Sequence, residues 1–274
     1  MPATEHIVIP HTLSLGLTTA LHLKFNHPTP YQLKLIMKRA FYAIGMDKCI
    51  DDASFQCPQC ASLRTIPKHL VEQTTESPPS AIGIKFAADV LKRERQLVLI
   101  LREYVTSYVQ ATIITSEKHD ALRDALLQLT VTLKPTTGPP SIIRVDPAPG
   151  FQALVEDRIL HEHNIAVEIG RHKNLNKNPV AERAVQEVEN EIAKSHSHKP
   201  VSAVDLALIC DRVNSKLQYP GLSSKEMLTK RDQYTNLQLS IDDMDLILQK
   251  HEQHTKNHDA SAASKAKAPA LTPP

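Results

Sequence analysis

The middle of the chain alternates short apolar runs with amphipathic segments. Three strand-like runs come first, at 82–89, 97–101 and 108–115, because they alternate in polarity, are continuously apolar or are rich in β-branched residues. A helical pattern over 117–133, with Ser116 as the expected N-cap, is followed by an apolar run over 141–146, a helix over 151–163, a strand over 165–169 and a helix over 181–192. This order predicts an α/β fold with a mixed five-stranded sheet and helices on its faces.

Segments of different character flank this region. Helical patterns over 13–25 and 31–42, separated by His27-Pro28-Thr29-Pro30, predict a small helical domain at the start. The predicted domains are a zinc-binding domain over 12–71, a linker over 72–80, a catalytic core over 81–198, a helical extension over 199–258 and a disordered tail over 259–274.

The amino-acid composition indicates the broad class of protein but not its function. Hydrophobic residues make up 41% of the 274 positions and charged residues 23%, which is typical of a soluble globular protein. No apolar stretch approaches the roughly 20 residues that span a bilayer. The formal net charge of +2 does not by itself indicate a nucleic-acid partner. Two of the four cysteines stand close together and two stand apart, which favours a metal site plus two inert thiols in an intracellular protein.

A zinc site is predicted from two pairs of residues. His22 and His27 are five residues apart, and Cys57 and Cys60 form a Cys-x2-Cys turn. Zinc takes four nitrogen or sulfur ligands tetrahedrally, and such a turn can present two thiolates. Because positions five apart do not share a helix face, His27 is expected to bind from the break after the first helix. An exposed turn beside two unrelated histidines is the alternative.

Three carboxylates predict a second, different metal site. Asp89 and Asp146 each end an apolar run, and Glu182 lies near the start of a helical pattern, with 35 residues between Asp146 and Glu182. Hard cations such as Mg²⁺ prefer carboxylate oxygens, and a pair of them about 3.5–4 Å apart can clamp a phosphodiester during phosphoryl transfer. The other acidic residues in the core helices are expected to be solvated surface charges: Asp120, Asp124, Glu156, Asp157 and Glu162.

A basic segment precedes Glu182. It contains Arg171, Lys173 and Lys177, and Arg183 follows the glutamate directly. These four cations are candidates for contacts to DNA phosphates, which position a protein on DNA without reading its sequence. A solvated connection is the alternative.

Together the two sets of residues resemble a retroviral-type integrase, of the sort encoded by gypsy-group long-terminal-repeat retrotransposons. The order matches an HHCC zinc domain (His22, His27, Cys57, Cys60) followed by a D,D-35-E core (Asp89, Asp146, Glu182). The segments 146–151 and 178–182 are also similar to those around the family's second aspartate and its glutamate, and the similarity covers about residues 12–195.

The resemblance implies an RNase H-like core, a structural Zn²⁺ and two catalytic Mg²⁺ or Mn²⁺ ions. Asp89 would bridge both catalytic ions, with Asp146 on one and Glu182 on the other. The implied reaction trims the 3′ ends of element DNA and joins them to target DNA. The implied assembly is a homo-oligomer that acts in the nucleus after assembly in the cytoplasm, with no membrane partner.

Some features depart from the family pattern. Ala148 stands where the family often has glycine, the segment before Glu182 is rich in Asn and Lys instead of Gly, and no basic β-barrel pattern is evident after residue 220. Two alternatives therefore stay open. The chain could be an integrase-derived protein that binds DNA or protein without catalysis, or an RNase H-like nuclease that cuts without joining.

Overall fold

A small helical unit forms the N-terminal part of the computed structural model, which describes residues 6–63, 81–93, 95–170, 178–195, 200–218, 221–249 and 252. Its elements are β1 (Ile7–Val8), α1 (His11–Lys24), α2 (Pro30–Ala40), β2 (Phe41–Tyr42), α3 (Met46–Phe55) and α4 (Pro58–Leu63). Leu33, Met37 and Ile50 form its apolar centre. Thr29 begins α2 with a reciprocal cap, in which its hydroxyl accepts from the backbone of Gln32 and its own N–H donates to the Gln32 side chain.

The five predicted strands form one mixed sheet. They are β3 (Lys85–Arg93), β4 (Gln96–Glu103), β5 (Val109–Ile114), β6 (Ser141–Val145) and β7 (Ile165–Ile169), in the spatial order β5-β4-β3-β6-β7. Within this sheet, β3 pairs antiparallel with β4 and β4 with β5, whereas β6 and β7 run parallel to β3. Parallel neighbours need crossover connections, and helical segments supply them here.

Helices cover both faces of this sheet. The remaining helices are α5 (His119–Thr130), α6 (Pro149–Gln152), α7 (Arg158–Glu162), α8 (Pro179–Ser195), α9 (Ala203–Ser215) and α10 (Ser224–Thr229), and residues 241–249 are also helical. Leu99 and Leu101 of β4 pack with α5 on one face, while Val98 and Ile100 pack with α8 and α9 on the other. Burial on both faces explains why β4 is continuously apolar. The predicted α/β fold, a mixed five-stranded sheet flanked by helices, is confirmed.

Several local predictions were wrong. The helix predicted over 151–163 is two short helices, because the side chain of Asp157 caps α7 by accepting from the N–H of Leu160. Ser116 is not the N-cap of α5, which begins after Lys118 without a side-chain cap. The predicted linker over 72–80 and tail over 259–274 lie outside the described residues. No helix among the described residues is long and apolar enough to cross a membrane.

Candidate active site and metal centre

Asp89 lies within β3 and does not end it, contrary to the sequence prediction. The strand continues to Arg93 because its antiparallel partner β4 continues beside it, and Asp89 pairs with Ile100. Side chains alternate along a strand, so Asp89 shares a face with Ala87 and Leu91. Both of these neighbours pack in clusters that contain residues of α8. Asp89 therefore points to the face of the sheet that α8 covers.

Asp146 directly follows the last residue of β6, as predicted. The parallel register pairs Lys85 with Ile142 and Ala87 with Arg144, so two further residues bring Asp146 level with Asp89. Neighbouring strands stand about 4.8 Å apart, which makes the two aspartates side-by-side neighbours at this edge. Val145 packs in the cluster on the opposite face. By alternation Asp146 faces α8 as well.

Glu182 comes from α8, in its first turn. The preceding residues Val180 and Ala181 are buried against Ala87 of β3, which brings the start of the helix onto the strand that carries Asp89. The backbone N–H of Glu182 donates to the carbonyl of Asn178 at 3.0 Å, as in an ordinary helical turn. The structure thus brings together the three carboxylates from two adjacent strands and one helix.

Charge repulsion shows that these carboxylates affect one another. Burial raises the pKa of Asp89 to about 6, with further increases from Asp146, Glu182 and Glu117 that are partly offset by the N–H of Val90. Burial and Asp146 also raise the pKa of Glu182. A raised pKa means that the ionised form is disfavoured where negative charges crowd a partly dry site. A divalent cation would relieve this repulsion, and the donor set of carboxylate oxygens suits Mg²⁺ or Mn²⁺.

The predicted cations fall into two groups. Arg171, Lys173 and Lys177 lie outside the described residues. Arg183 is half-exposed on α8, and its Nε donates to a carboxylate oxygen of Glu187 at 3.1 Å. Glu187 also accepts from Arg102 of β4. Arg183 therefore has a partner within the chain beside the glutamate of the carboxylate edge.

The histidine and cysteine side chains predicted to bind zinc come together in one small cluster. His22 is buried at the end of α1, His27 follows in the turn, and Cys57 and Cys60 flank the start of α4. The Nε2 atom of His22 lies 3.1 Å from the Nδ1 atom of His27 and 3.3 Å from the Sγ atom of Cys60. The Nδ1 atom of His27 lies 3.1 Å from the Sγ atom of Cys57. All four ligand atoms fit within 4.8 Å of one another.

This cluster could hold a metal ion. Bonds of 2.0–2.3 Å to tetrahedral zinc place the ligand atoms about 3.3–3.8 Å apart, close to the separations found here. Burial lowers the pKa of both His22 and His27, with a further contribution from nearby positive charge, so both imidazoles favour the neutral form that ligates metals. The turn itself needs an unusual backbone, because Asn26 and His27 both have φ near +55° to +60°.

Helix α8 also holds the histidine turn in place. The fully buried carboxylate of Glu191 accepts from the side-chain amide of Asn26, and its other oxygen pairs with Lys194 and Lys216. Lys194 donates to the carbonyl of Asn26 at 3.0 Å, and Gln59 of the cysteine turn donates to the carbonyl of Lys194 at 2.6 Å. One helix therefore carries Glu182 near its start and contacts the His/Cys cluster near its end.

The two ligand sets differ in spacing. Among the described residues, His22, His27, Cys57 and Cys60 are the one group of three or more such side chains arranged to hold a metal ion, and their ligand atoms all lie within 4.8 Å of one another. Asp89, Asp146 and Glu182 do not form such a preassembled group.

Two polar residues were interpreted wrongly or missed at the sequence level. Asp157, predicted to be solvated, is buried and pairs with His119 at 2.8 Å in addition to capping α7. Asn178 is fully buried, and its side-chain nitrogen donates to the carbonyls of Ala88 and Arg144, both at 3.1 Å. The cap could have been anticipated because aspartate is a preferred N-cap residue, whereas the partners of Asn178 are backbone atoms that leave no sequence signature.

Comparison with known proteins finds similarity among solved structures but not among protein families. No family model matches the chain, and no curated protein is significantly similar to it. Among solved structures, the catalytic core domain of BIV integrase is similar, with 18% sequence identity and a TM-score of 0.43. The match covers 54% of this chain and 95% of that core domain. A similarity at this level carries no argument about function, which rests on this chain's own residues.

Proposed function

We propose that this chain is an integrase-like polynucleotidyl transferase of the gypsy group, which processes the 3′ ends of element DNA and joins them to target DNA. The observation that carries the proposal is the convergence of Asp89, Asp146 and Glu182 at one edge of the sheet, where their charges repel. Crowded, partly buried carboxylates with raised pKa values are typical of functional sites. Their oxygens are the ligands that suit divalent cations in phosphoryl transfer.

The three side chains have distinct roles in this proposal. Asp89 lies on β3, which pairs with β6 and packs against α8, so it would contact both Mg²⁺ or Mn²⁺ ions, while Asp146 and Glu182 would each hold one. Bound cations of this kind stabilise the attacking and leaving oxygens of a phosphodiester. Because the pKa of Asp89 is about 6, its carboxylate is mostly ionised at pH 7.5 and can serve as a ligand.

The cluster of His22, His27, Cys57 and Cys60 is proposed to hold a structural Zn²⁺. Four protein ligands leave no open position for a substrate, so the ion would supply folding free energy to the N-terminal helices instead of chemistry. Cations near Glu182, namely Arg171, Lys173, Lys177 and Arg183, are proposed to contact DNA phosphates. The proposal includes a homo-oligomer that assembles in the cytoplasm and acts on DNA in the nucleus.

A joining assay tests the proposed activity. Purified full-length protein with Mn²⁺ would be incubated with duplexes of randomised 3′ ends and a supercoiled plasmid, and the joined products would be sequenced. We expect joining that falls at least about a hundredfold in Asp146→Asn, because several kcal/mol of transition-state stabilisation is lost. Asp124→Asn, an exposed carboxylate on α5, is the matched control and should leave joining unchanged.

The other outcomes separate the alternatives. Cleaved ends without joined products would indicate a nuclease. Absence of both nicking and joining, together with no effect of Asp146→Asn, would contradict the proposed catalysis and favour an integrase-derived binding protein.

A further inference from the structure

Asn178 occupies the gap between the two strands that carry the aspartates. The residue is fully buried just before α8, and its amide nitrogen donates at 3.1 Å to the carbonyls of Ala88 and Arg144. Ala88 directly precedes Asp89, and Arg144 is two residues before Asp146. The paired register of β3 and β6 ends at Ala87 and Arg144. The amide therefore links the two strands where their own pairing ends.

The same residue is also the last one before the helix that carries Glu182. Its backbone carbonyl accepts the N–H of Glu182 at 3.0 Å. Through its side chain and backbone, Asn178 contacts all three elements of the carboxylate edge. Among the described residues, no other side chain has hydrogen bonds to the backbones of both β3 and β6.

The chemistry of the contact requires an amide. Two carbonyl oxygens face one side chain, so that side chain must supply two N–H donors, and an ionised aspartate supplies none. The other polar atom of Asn178, Oδ1, is buried without a hydrogen-bond partner among the described residues. An unmet acceptor is unfavourable for stability. The donors of Asn178, and not its acceptor oxygen, therefore make the contacts at this position.

We propose that Asn178 is a positioning residue that sets the spacing of Asp89, Asp146 and Glu182, and through it the affinity of this edge for divalent cations. The inference rests on the proposed function, since it concerns the same site. Residues that orient metal ligands from behind change metal affinity about 10–100-fold when they are removed.

The structure offers a matched control in Asn214. This residue of α9 is also buried, its Oδ1 accepts from the N–H of Val109 at 2.8 Å, and its Nδ2 donates to the carbonyl of the same residue at 2.7 Å. Val109 belongs to β5, which is two strands away from β3. Asn178→Ala and Asn214→Ala each remove two side-chain hydrogen bonds to the sheet, but only the first lies at the carboxylates.

The experiment is a Mn²⁺ titration of the zinc-loaded full chain, followed by electron paramagnetic resonance, with Tm measured in parallel. We expect Asn178→Ala to weaken Mn²⁺ binding at least about tenfold. Asn214→Ala should lower Tm by a similar amount yet keep Mn²⁺ affinity within about twofold of the unaltered chain, since its contacts lie away from the ligands. Asn178→Asp should bind no better than Asn178→Ala, because it lacks the two donors.

Each remaining result has a defined meaning. Unchanged Mn²⁺ affinity in folded Asn178→Ala, or an equal loss in Asn214→Ala, would overturn the inference while leaving the proposed function intact. Absence of Mn²⁺ binding in the unaltered chain would overturn the proposed function, and the inference with it. If Asn178→Ala does not fold, Asn178→Ser keeps one donor and should show an intermediate loss; wild-type affinity in that variant would also overturn the inference.

Discussion

The two ligand sets of this chain are assembled by opposite means. The donors of His22, His27, Cys57 and Cys60 already lie within 4.8 Å of one another, and both imidazoles favour the neutral form. The carboxylates of Asp89, Asp146 and Glu182 converge from three elements but repel one another. A fold can preassemble ligands that are partly neutral, whereas it holds like charges together only against their repulsion. The carboxylate edge is therefore a less stable arrangement without cations than the His/Cys cluster.

The neighbouring residues that hold the ligands in place also differ between the two ligand sets. The histidine turn is held by Glu191 and Lys194 of α8, and the cysteine turn contributes Gln59 to the same helix end. At the carboxylate edge, the fully buried Asn178 is the side chain that links the two strands. Both ligand sets contact the same helix, α8, which has 17 residues and spans about 25 Å. The two sets therefore share a rigid element while lying well apart along it.

The largest expected effect comes from removing the thiolates. Cys57→Ser combined with Cys60→Ser should abolish stoichiometric zinc, and residues 11–63 should lose hydrogen-exchange protection while the sheet keeps it. Structural zinc contributes on the order of 10 kcal/mol to such small domains. Zinc content by atomic absorption and exchange by mass spectrometry check this prediction.

A cysteine of the same domain provides the control. Cys49 lies on α3 outside the cluster, so Cys49→Ser should keep full zinc content. If the double variant of Cys57 and Cys60 still carries one zinc per chain, the assignment of the ligands is wrong, and the comparison of two metal sites no longer holds.

The next effect concerns pH and distinguishes the two sets directly. Because the pKa of Asp89 is about 6, protons compete with cations below that pH, and Mn²⁺ affinity should fall about tenfold per pH unit between pH 6 and 4. Because burial lowers the pKa of both His22 and His27, protons compete with zinc less than they would at ordinary imidazoles, and zinc content should change less with pH than Mn²⁺ affinity does. Calorimetric titration with Mn²⁺ at several pH values, with zinc measured in each sample, checks both expectations. Constant Mn²⁺ affinity from pH 8 to pH 4 would contradict the first.

The sequence predicted the strands of the sheet well where the hydrophobic pattern of a strand matches its burial in the fold. The strand over 165–169 has the expected bounds, and the continuous apolar run at 97–101 lies within β4, which is buried on both faces. The predicted end of β3 at Asp89 was wrong, because the strand continues as long as its antiparallel partner does. A charged residue within a strand is tolerated there since it belongs to a partly open site.

Some residues of the candidate sites could be predicted from the sequence and others could not. The spacing of His22, His27, Cys57 and Cys60 was enough to predict that these side chains would meet, because histidine and a Cys-x2-Cys turn have a distinctive ligand chemistry. Asn178 was not predicted, since its partners are the carbonyls of Ala88 and Arg144, and every residue has a carbonyl. Asp157 was assigned to the surface because a sequence does not show that His119 lies 2.8 Å away.

The smallest expected effect is a change in folding stability, and its sign differs between the two ligand sets. Removing a carboxylate should stabilise the chain when divalent cations are absent, whereas removing a thiolate destabilises it. Folding raises the pKa of Asp89 from 3.8 to about 6, so the folded chain binds a proton at Asp89 more tightly than the unfolded chain does. The stabilisation that comes from this proton is fully present at low pH and is lost as the pH rises through 6. At pH 8 without divalent cations, Asp89→Asn should therefore raise the free energy of unfolding by about 1–3 kcal/mol.

Denaturant unfolding at pH 8 and pH 4 measures this sign. Asp89→Asn should gain stability over the unaltered chain at pH 8 and little at pH 4, because Asp89 of the unaltered chain is then mostly protonated. Asp124→Asn, which removes an exposed carboxylate paired with Arg123, should change stability by less than about 1 kcal/mol at either pH. Added Mn²⁺ should make the unaltered chain more stable than Asp89→Asn, because a bound cation stabilises only the chain that keeps its ligand. A loss of stability in Asp89→Asn without cations would mean that hydrogen bonding by Asp89, including that from the N–H of Val90, outweighs the repulsion.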